Sequence, residues 1–307
     1  MRNKNIIYRQ LILLAVAFLT ACTVNVQTDF NSEPVKALDR ETADLADVTR
    51  DVIELVDQVG KDKVMVVFDI DNTLMAMEQG LGSDQWYDWQ KHLSENDLCN
   101  PDNVGNRFAV QGALYFVSAM RNTQKDGPEQ VRSIQSLGVP VIALTSRGME
   151  YQLQTFRELR RNGYDFSHSS FGPPGGYQKP FIPVTDGRFS LYQDGVFLTA
   201  GQHKGKMLLA LLEKTQTPMP DVVVIADDKQ KNLDNMKETF TALKVPVRAW
   251  RYSAEDANVE NFDTQKAAMQ WQQLETQLRQ IQQVIGPDNY DLDTARRPQE
   301  CTQEESP

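Results

Sequence analysis

Apolar residues follow two rhythms along this chain. Short continuous runs occur at Val64-Met65-Val66-Val67-Phe68, at Val139-Pro140-Val141-Ile142-Ala143-Leu144 and at Val222-Val223-Val224-Ile225-Ala226, with a weaker one at Val245-Pro246-Val247-Arg248-Ala249-Trp250. Runs of this kind suit strands covered on both faces. Between them, apolar positions recur at helical spacing. Leu45, Val48, Val52, Leu55, Val56 and Val59 mark a helix within 40–60 that Gly60 ends, and further helices are expected over 128–137, 149–162, 203–214 and 230–243. Strands alternating with helices predict an α/β fold, a Rossmann-like parallel sheet with helices on both faces. Asp194-Gly195, set between Leu191-Tyr192 and Val196-Phe197-Leu198, predicts an antiparallel hairpin at one point of that sheet.

The first two buried runs lie too far apart for a single crossover helix, which needs only a dozen or so residues. The surplus, residues 77–124, reads as a small helical cap inserted into a core made of 37–76 and 125–285. It carries Trp86, Tyr87 and Trp89 near its start and a helix candidate from Phe108 to Met120. Residues 264–284 predict a final Gln-rich amphipathic helix, and the polar, acidic stretch 286–307 predicts a disordered tail.

At the other end, Arg2, Lys4 and Arg9 precede the apolar run Leu11-Ile12-Leu13-Leu14-Ala15-Val16-Ala17-Phe18-Leu19 and then Thr20-Ala21-Cys22, the layout of a secretory signal peptide over 1–21. The run is shorter than the roughly 20 apolar residues of a membrane-spanning helix. Leu19-Thr20-Ala21-Cys22 resembles the lipobox of bacterial lipoproteins. That resemblance implies cleavage before Cys22, lipidation of Cys22, a tether over 22–36, and attachment to the membrane through more than one acyl chain. Thr23, rather than Asp, after the cysteine favours the periplasmic side of the outer membrane. Removal of residues 1–21 leaves 286 of 307 residues, enough for a substantial core.

The net charge of −10 excludes a broad nucleic-acid surface, which needs many Lys and Arg against backbone phosphates. His92, His168 and His203 have no metal-ligand spacing. Cys99 and Cys301 would occupy a compartment that permits disulfides, but Cys301 lies in the polar tail and no structural bridge is expected. No protein partner can be inferred.

The chemistry concentrates at strand ends. The first buried run leads into Phe68-Asp69-Ile70-Asp71-Asn72-Thr73-Leu74, the second ends in Leu144-Thr145-Ser146-Arg147-Gly148, and the third ends in Ala226-Asp227-Asp228 with Asn232 beyond. Carboxyl ends of strands in open α/β sheets are where ligands bind. Like charges crowded there need a compensating cation. Each feature alone has a plain alternative as an Asx turn, a helix cap or a loop. Gly201-Gln202-His203-Lys204-Gly205-Lys206 opens a helix and offers Lys204, with Lys206 in reserve.

In this order the four segments resemble the motifs of the haloacid dehalogenase superfamily, and within it the chain looks most like bacterial lipoproteins related to acid phosphatases. The resemblance implies an Mg²⁺-dependent phosphatase acting on a small phosphomonoester outside the cytoplasm. Asp69 would be the nucleophile that becomes an aspartyl phosphate, and Asp71 the general acid and then base. Thr145 and Lys204 would hold the phosphoryl oxygens. Asp69, the Asp71 carbonyl, Asp227 and Asp228 would form the metal site. Arg147 either reaches the substrate or pairs with an acidic loop residue, and the ion pair is preferred. Trp86 and Tyr87 are candidate substrate contacts, against the preferred reading that these aromatics anchor the cap. A phosphotransferase with the same intermediate, or a lipoprotein that keeps the fold as a non-catalytic scaffold, fits the same residues. The natural substrate and the oligomeric state are not legible.

Overall fold

A computed structural model describes residues 34–286 and Cys301. The signal segment, Cys22 and most of the tether lie outside the described residues. Among those described, no helix is long and apolar enough to cross a membrane.

The elements follow one another as β1 (Leu38–Thr42), α1 (Leu45–Val59), β2 (Val64–Phe68), β3 (Met75–Met77), α2 (Asp84–Asn96), α3 (Arg107–Val117), β4 (Met120–Asn122), α4 (Gly127–Ser136), β5 (Val141–Thr145), α5 (Gln152–Arg161), β6 (Leu191–Gln193), β7 (Val196–Leu198), α6 (Lys204–Thr215), β8 (Val222–Asp227), α7 (Gln230–Ala242), β9 (Val247–Tyr252), α8 (Asp256–Glu260) and α9 (Thr264–Ile285). Seven strands form one sheet in the order β1-β9-β8-β2-β5-β7-β6, parallel throughout except for the β6–β7 hairpin. This is the α/β architecture that the alternation predicts, hairpin included.

Period-two alternation within the buried strands divides the interior into two cores, one on each face. Val64, Val66 and Phe68 face α1 and α4, packing with Leu45, Val48, Val52, Val131 and Ile134. Met65 and Val67 face the other way, onto Met207, Leu208 and Leu211 of α6 and Leu233, Met236 and Phe240 of α7. Because both faces are covered, every residue of β2, β5 and β8 is buried.

The chain runs outward from β2 to β5 and β7, then returns to place β8 on the other side of β2. The β2–β8 boundary is therefore where strand order reverses, and a crevice opens beyond the carboxyl ends of strands at such a point.

Two features depart from the sequence reading. The helical insertion is bracketed by an antiparallel ribbon, β3 against β4, and its second helix begins at Arg107 and ends at Val117. Inside the insertion, Leu81, Trp86, Val104, Val110 and Leu114 build a third core with Ala267 and Trp271 of α9. The second departure is a correction: Cys99, just beyond α2, forms a disulfide with Cys301 across a sequence separation of 202. Residues 287–300 and 302–307 lie outside the described residues, but Cys301 is fixed in place. The polarity of its surroundings says nothing about pairing, because a disulfide needs no apolar neighbours.

Candidate active site

Three carboxylates converge beyond β2 and β8. Asp69 follows β2 directly and Asp227 is the last residue of β8. The parallel register sets Phe68 beside Ala226, and the Asp69 amide donates to the Ala226 carbonyl at 3.0 Å. Asp69, Asp227 and Asp228 each bring an oxygen within 4.8 Å of the others.

The loop after β2 is wound tightly enough to project its side chains. The Leu74 and Met75 amides both donate to the Ile70 carbonyl, and Asn72 takes a positive φ of 57°, a conformation Asn tolerates better than most residues. Ile70 turns into the core while Asp69 and Asp71 face the crevice side. Thr73, fully buried, accepts from the Asp228 amide at 3.0 Å and so ties this loop to the one after β8.

Lys204 enters as the first residue of α6, its side chain 1% exposed. Its ammonium donates to Asp69 Oδ1 and to Asp227 Oδ2, each at 2.6 Å. The neighbour that permits this is Gly205. A Cβ there would lie 2.3 Å from the Asn235 carbonyl and 2.4 Å from Thr239 Oγ1, so glycine lets α6 press against α7 and carry Lys204 inward. The other oxygen of Asp227 accepts from the Lys229 amide and from Asn232 Nδ2, both at 2.9 Å. Asn232 thus orients a carboxylate without adding charge.

The charges do not balance locally. Burial, together with the Asp227 and Asp71 charges, pushes the Asp69 carboxyl up to about 7 against the opposing pull of Lys204. Burial and the same crowding hold Asp228 well above the carboxylate range. For Lys204, burial would favour the neutral amine, but Asp227 and Asp69 outweigh it and keep it charged.

Asp71 sits in the opposite environment. Arg147 grips it with Nε to Oδ2 at 2.9 Å and Nη2 to Oδ1 at 2.7 Å, and the Tyr115 hydroxyl donates to Oδ1 at 3.2 Å. Burial pushes Asp71 up, but the Arg147 charge and these hydrogen bonds outweigh it and hold the carboxyl below its ordinary value. Arg147 is fully engaged: it also donates to Thr155 Oγ1 at 2.9 Å and lies over the Tyr115 ring at 4.4 Å.

Sequence reasoning brings Asp69, Asp71, Lys204, Asp227 and Asp228 to one crevice, and the preferred ion pair of Arg147 is present. Thr145, at the end of β5, is buried and accepts from the Arg147 amide at 3.1 Å, which leaves its own hydrogen free to donate. Lys206 is exposed on the far side of Gly205. Two candidate substrate contacts need correction. Trp86 is completely buried in the third core, and Arg147 is 5% exposed with its donors committed. Trp89 stacks edge-on against Phe262, an anchoring contact as preferred. Tyr87 remains half-buried, against Phe108.

Sequence reasoning missed Tyr115, Thr73 and Lys229 as members of this neighbourhood. Lys229 bonds Asp84 and Asp88 of α2 at 2.7 and 2.8 Å and so docks the insertion onto the loop that carries Asp227 and Asp228. None of the three has a signature beyond its residue type. A separate cavity of about 210 Å³ lies between β3, α8 and α9, lined by Gln79, Arg121, Glu255, Phe262 and Lys266, and none of the clustered acids lines it.

The acidic cluster fits a hard divalent cation. Its donors are all carboxylate oxygens, the one ammonium bonded to it reaches Asp69 and Asp227 but not Asp228, and Asp228 Oδ1 is buried with no hydrogen-bond partner.

The model of a family described as "Protein of unknown function (DUF2608)" matches residues 41–283, from within β1 to within α9, and the chain belongs to that family. No curated protein matches it.

Proposed function

We propose that this member of the family is a magnesium-dependent phosphatase of the haloacid dehalogenase type, hydrolysing a small phosphomonoester through an aspartyl phosphate on Asp69. The observation that carries the reading is the meeting of Asp69, Asp227 and Asp228 around buried Lys204 at the reversal point of the sheet. Isolated motifs have plain structural explanations. Four motifs converging on one buried, charge-imbalanced crevice do not.

Asp69, Asp227, Asp228 and the Asp71 carbonyl would hold Mg²⁺. Bound there, the ion would neutralise charge on the phosphoryl oxygens. Asp69 attacks phosphorus while the bond to the leaving oxygen breaks, so the phosphoryl group passes to its carboxylate. Lys204 and the free hydroxyl hydrogen of Thr145 stabilise the charge spread over the transferring oxygens. Asp71 gives its proton to the leaving oxygen and then, as the carboxylate, takes a proton from the water that hydrolyses the aspartyl phosphate. Its clamp by Arg147 and Tyr115 suits the second role, since an ionised carboxylate is ready to act as a base. For the first, the clamp favours leaving groups that depart with little protonation, such as aryl or acyl oxygens.

The same clamp is the one observation that favours a second reading, a binding scaffold without turnover, because it opposes protonation of the general acid. Phosphate release from an aryl phosphate, with and without Mg²⁺, separates the two. Release that requires Mg²⁺ and vanishes in Asp69→Asn supports the enzyme, and equal release by wild type and Asp69→Asn removes the nucleophile from consideration.

We also propose that the domain works outside the cytoplasm, attached through a lipid on Cys22. The Cys99–Cys301 disulfide supports this, since such bonds persist in oxidising compartments.

A further inference from the structure

Arg107, the first residue of α3, makes no ion pair among the described residues. The described arginines Arg40, Arg160 and Arg188 also lack an acidic partner, but all three are exposed, whereas Arg107 is half-buried. Its Nε is buried and bonds nothing. Its only described contacts are two rings, Tyr87 at 5.0 Å and Phe108 at 4.9 Å from the guanidinium carbon. In a chain of net charge −10, a half-buried guanidinium with no ion pair among the described residues is unusual. Buried polar groups are satisfied in the great majority of cases, so one left open calls for a ligand.

The place of Arg107 relative to the reaction centre follows from a chain of contacts. The Tyr115 hydroxyl meets Asp71 at 3.2 Å, and the Tyr115 ring packs edge-on against Tyr151 at 5.5 Å. The Tyr151 hydroxyl donates to the Phe108 carbonyl at 3.0 Å. Phe108 touches Tyr87, and Arg107 packs over both rings. The guanidinium is thus linked through Tyr115, Tyr151 and Phe108 to the acid that would serve the leaving group.

We propose that Arg107, packed over the touching rings of Tyr87 and Phe108, is a specificity site for a second anionic group on the substrate's leaving portion, such as a carboxylate carried by a ring. This rests on the phosphatase reading for the position of the leaving group. The two rings hold the guanidinium and supply an apolar wall for the spacer, while the Nη donors at its outer end are left to meet a planar anion, a geometry in which arginine pairs bidentately. Tyr87 thereby recovers a substrate role through Arg107, in place of the buried Trp86.

The test compares phenyl phosphate with 4-carboxyphenyl phosphate on the full chain with Mg²⁺. Wild type should show kcat/KM about tenfold higher for the carboxylated substrate, the scale of one charge-assisted hydrogen bond. In Arg107→Gln that ratio should fall to near unity, and Arg107→Lys should restore part of it. A ratio near unity in wild type, or one that survives in Arg107→Gln, overturns the site. Calorimetric binding of phenylphosphonate and 4-carboxyphenylphosphonate repeats the comparison without turnover and, on wild type alone, without any variant. A preference for the carboxylated phosphonate with no hydrolysis of either ester leaves the anion site standing and defeats the phosphatase reading. Equal binding of the two phosphonates defeats the site, whatever is hydrolysed.

Discussion

Replacing Lys204 by Met tests the electrostatics on which the site depends. The ammonium is 1% exposed and touches both Asp69 and Asp227 at 2.6 Å. At an effective dielectric of about 20, each such pair is worth about 6 kcal/mol before desolvation is subtracted. Methionine keeps the length and apolar stem but leaves two carboxylates facing each other with no cation between them. Deleting one partner of a buried pair destabilises by about 3–5 kcal/mol. For a domain of this size that is about 6–20 °C in Tm, at about 2–4 °C per kcal/mol.

The measurement is thermal unfolding in chelator at about pH 8, above the raised Asp69 value, so that Asp69 of the wild type is ionised. Mg²⁺ should then return a larger increment of Tm to Lys204→Met than to wild type, because it replaces positive charge that the variant lacks. A variant that melts with wild type in chelator would show that the acids do not need the ammonium. An equal Mg²⁺ increment in both proteins would show that the ion does not bind at this cluster.

Two further outcomes follow from the same coordinates. The Asp69 carboxyl is raised from 3.8 to about 7, so the folded protein holds that proton more tightly than the unfolded chain. The stability it contributes is complete below about pH 4 and is lost as pH rises through about 7, on the order of 4 kcal/mol. Denaturant titrations of the metal-free protein should show that decline flattened in Asp69→Asn, and identical pH profiles would refute the assignment. Opening the Cys99–Cys301 bridge, which spans 202 residues, should remove about 2–5 kcal/mol. Cys99→Ser, Cys301→Ser and the double variant should lose the same amount in unfolding experiments, whereas additive losses would mean that the thiols act independently.

The sequence was readable where burial is uniform. β2, β5 and β8 are covered on both faces, so their apolar runs mark them to within a residue or two. β1 reads Leu-Asp-Arg-Glu-Thr and is largely exposed; its backbone pairing with β9 leaves no trace in side-chain character. β3 and β4 have three residues each, too few for a pattern. The acids of the site were legible because each follows a strand that was itself legible. Their partners were not: Tyr115 lies 44 residues from Asp71, and Arg147 lies 76. Whether an arginine meets the substrate or an acid depends on tertiary contacts that local spacing does not encode. The Cys99 pairing failed to show for the same reason.

The insertion is better understood as a fixed wall than as a lid. Trp86, Val110 and Leu114 share a core with Ala267 and Trp271, which fastens it to α9. Lys229 joins Asp84 and Asp88 to the loop of Asp227 and Asp228. Tyr115 reaches Asp71 directly, and Cys99 is bonded to Cys301 beyond α9. Opening the insertion away from α9 and the sheet would break an apolar core, two ion pairs and the hydrogen bond to Asp71 together, against a covalent tie. Gating motions draw on regions of low local stability, and this one is held from several sides. On the proposed function, selection would then come from the shape and charge of a standing surface. Tyr115 at one end of α3 and Arg107 at the other make that helix the part of the wall that a leaving group would meet.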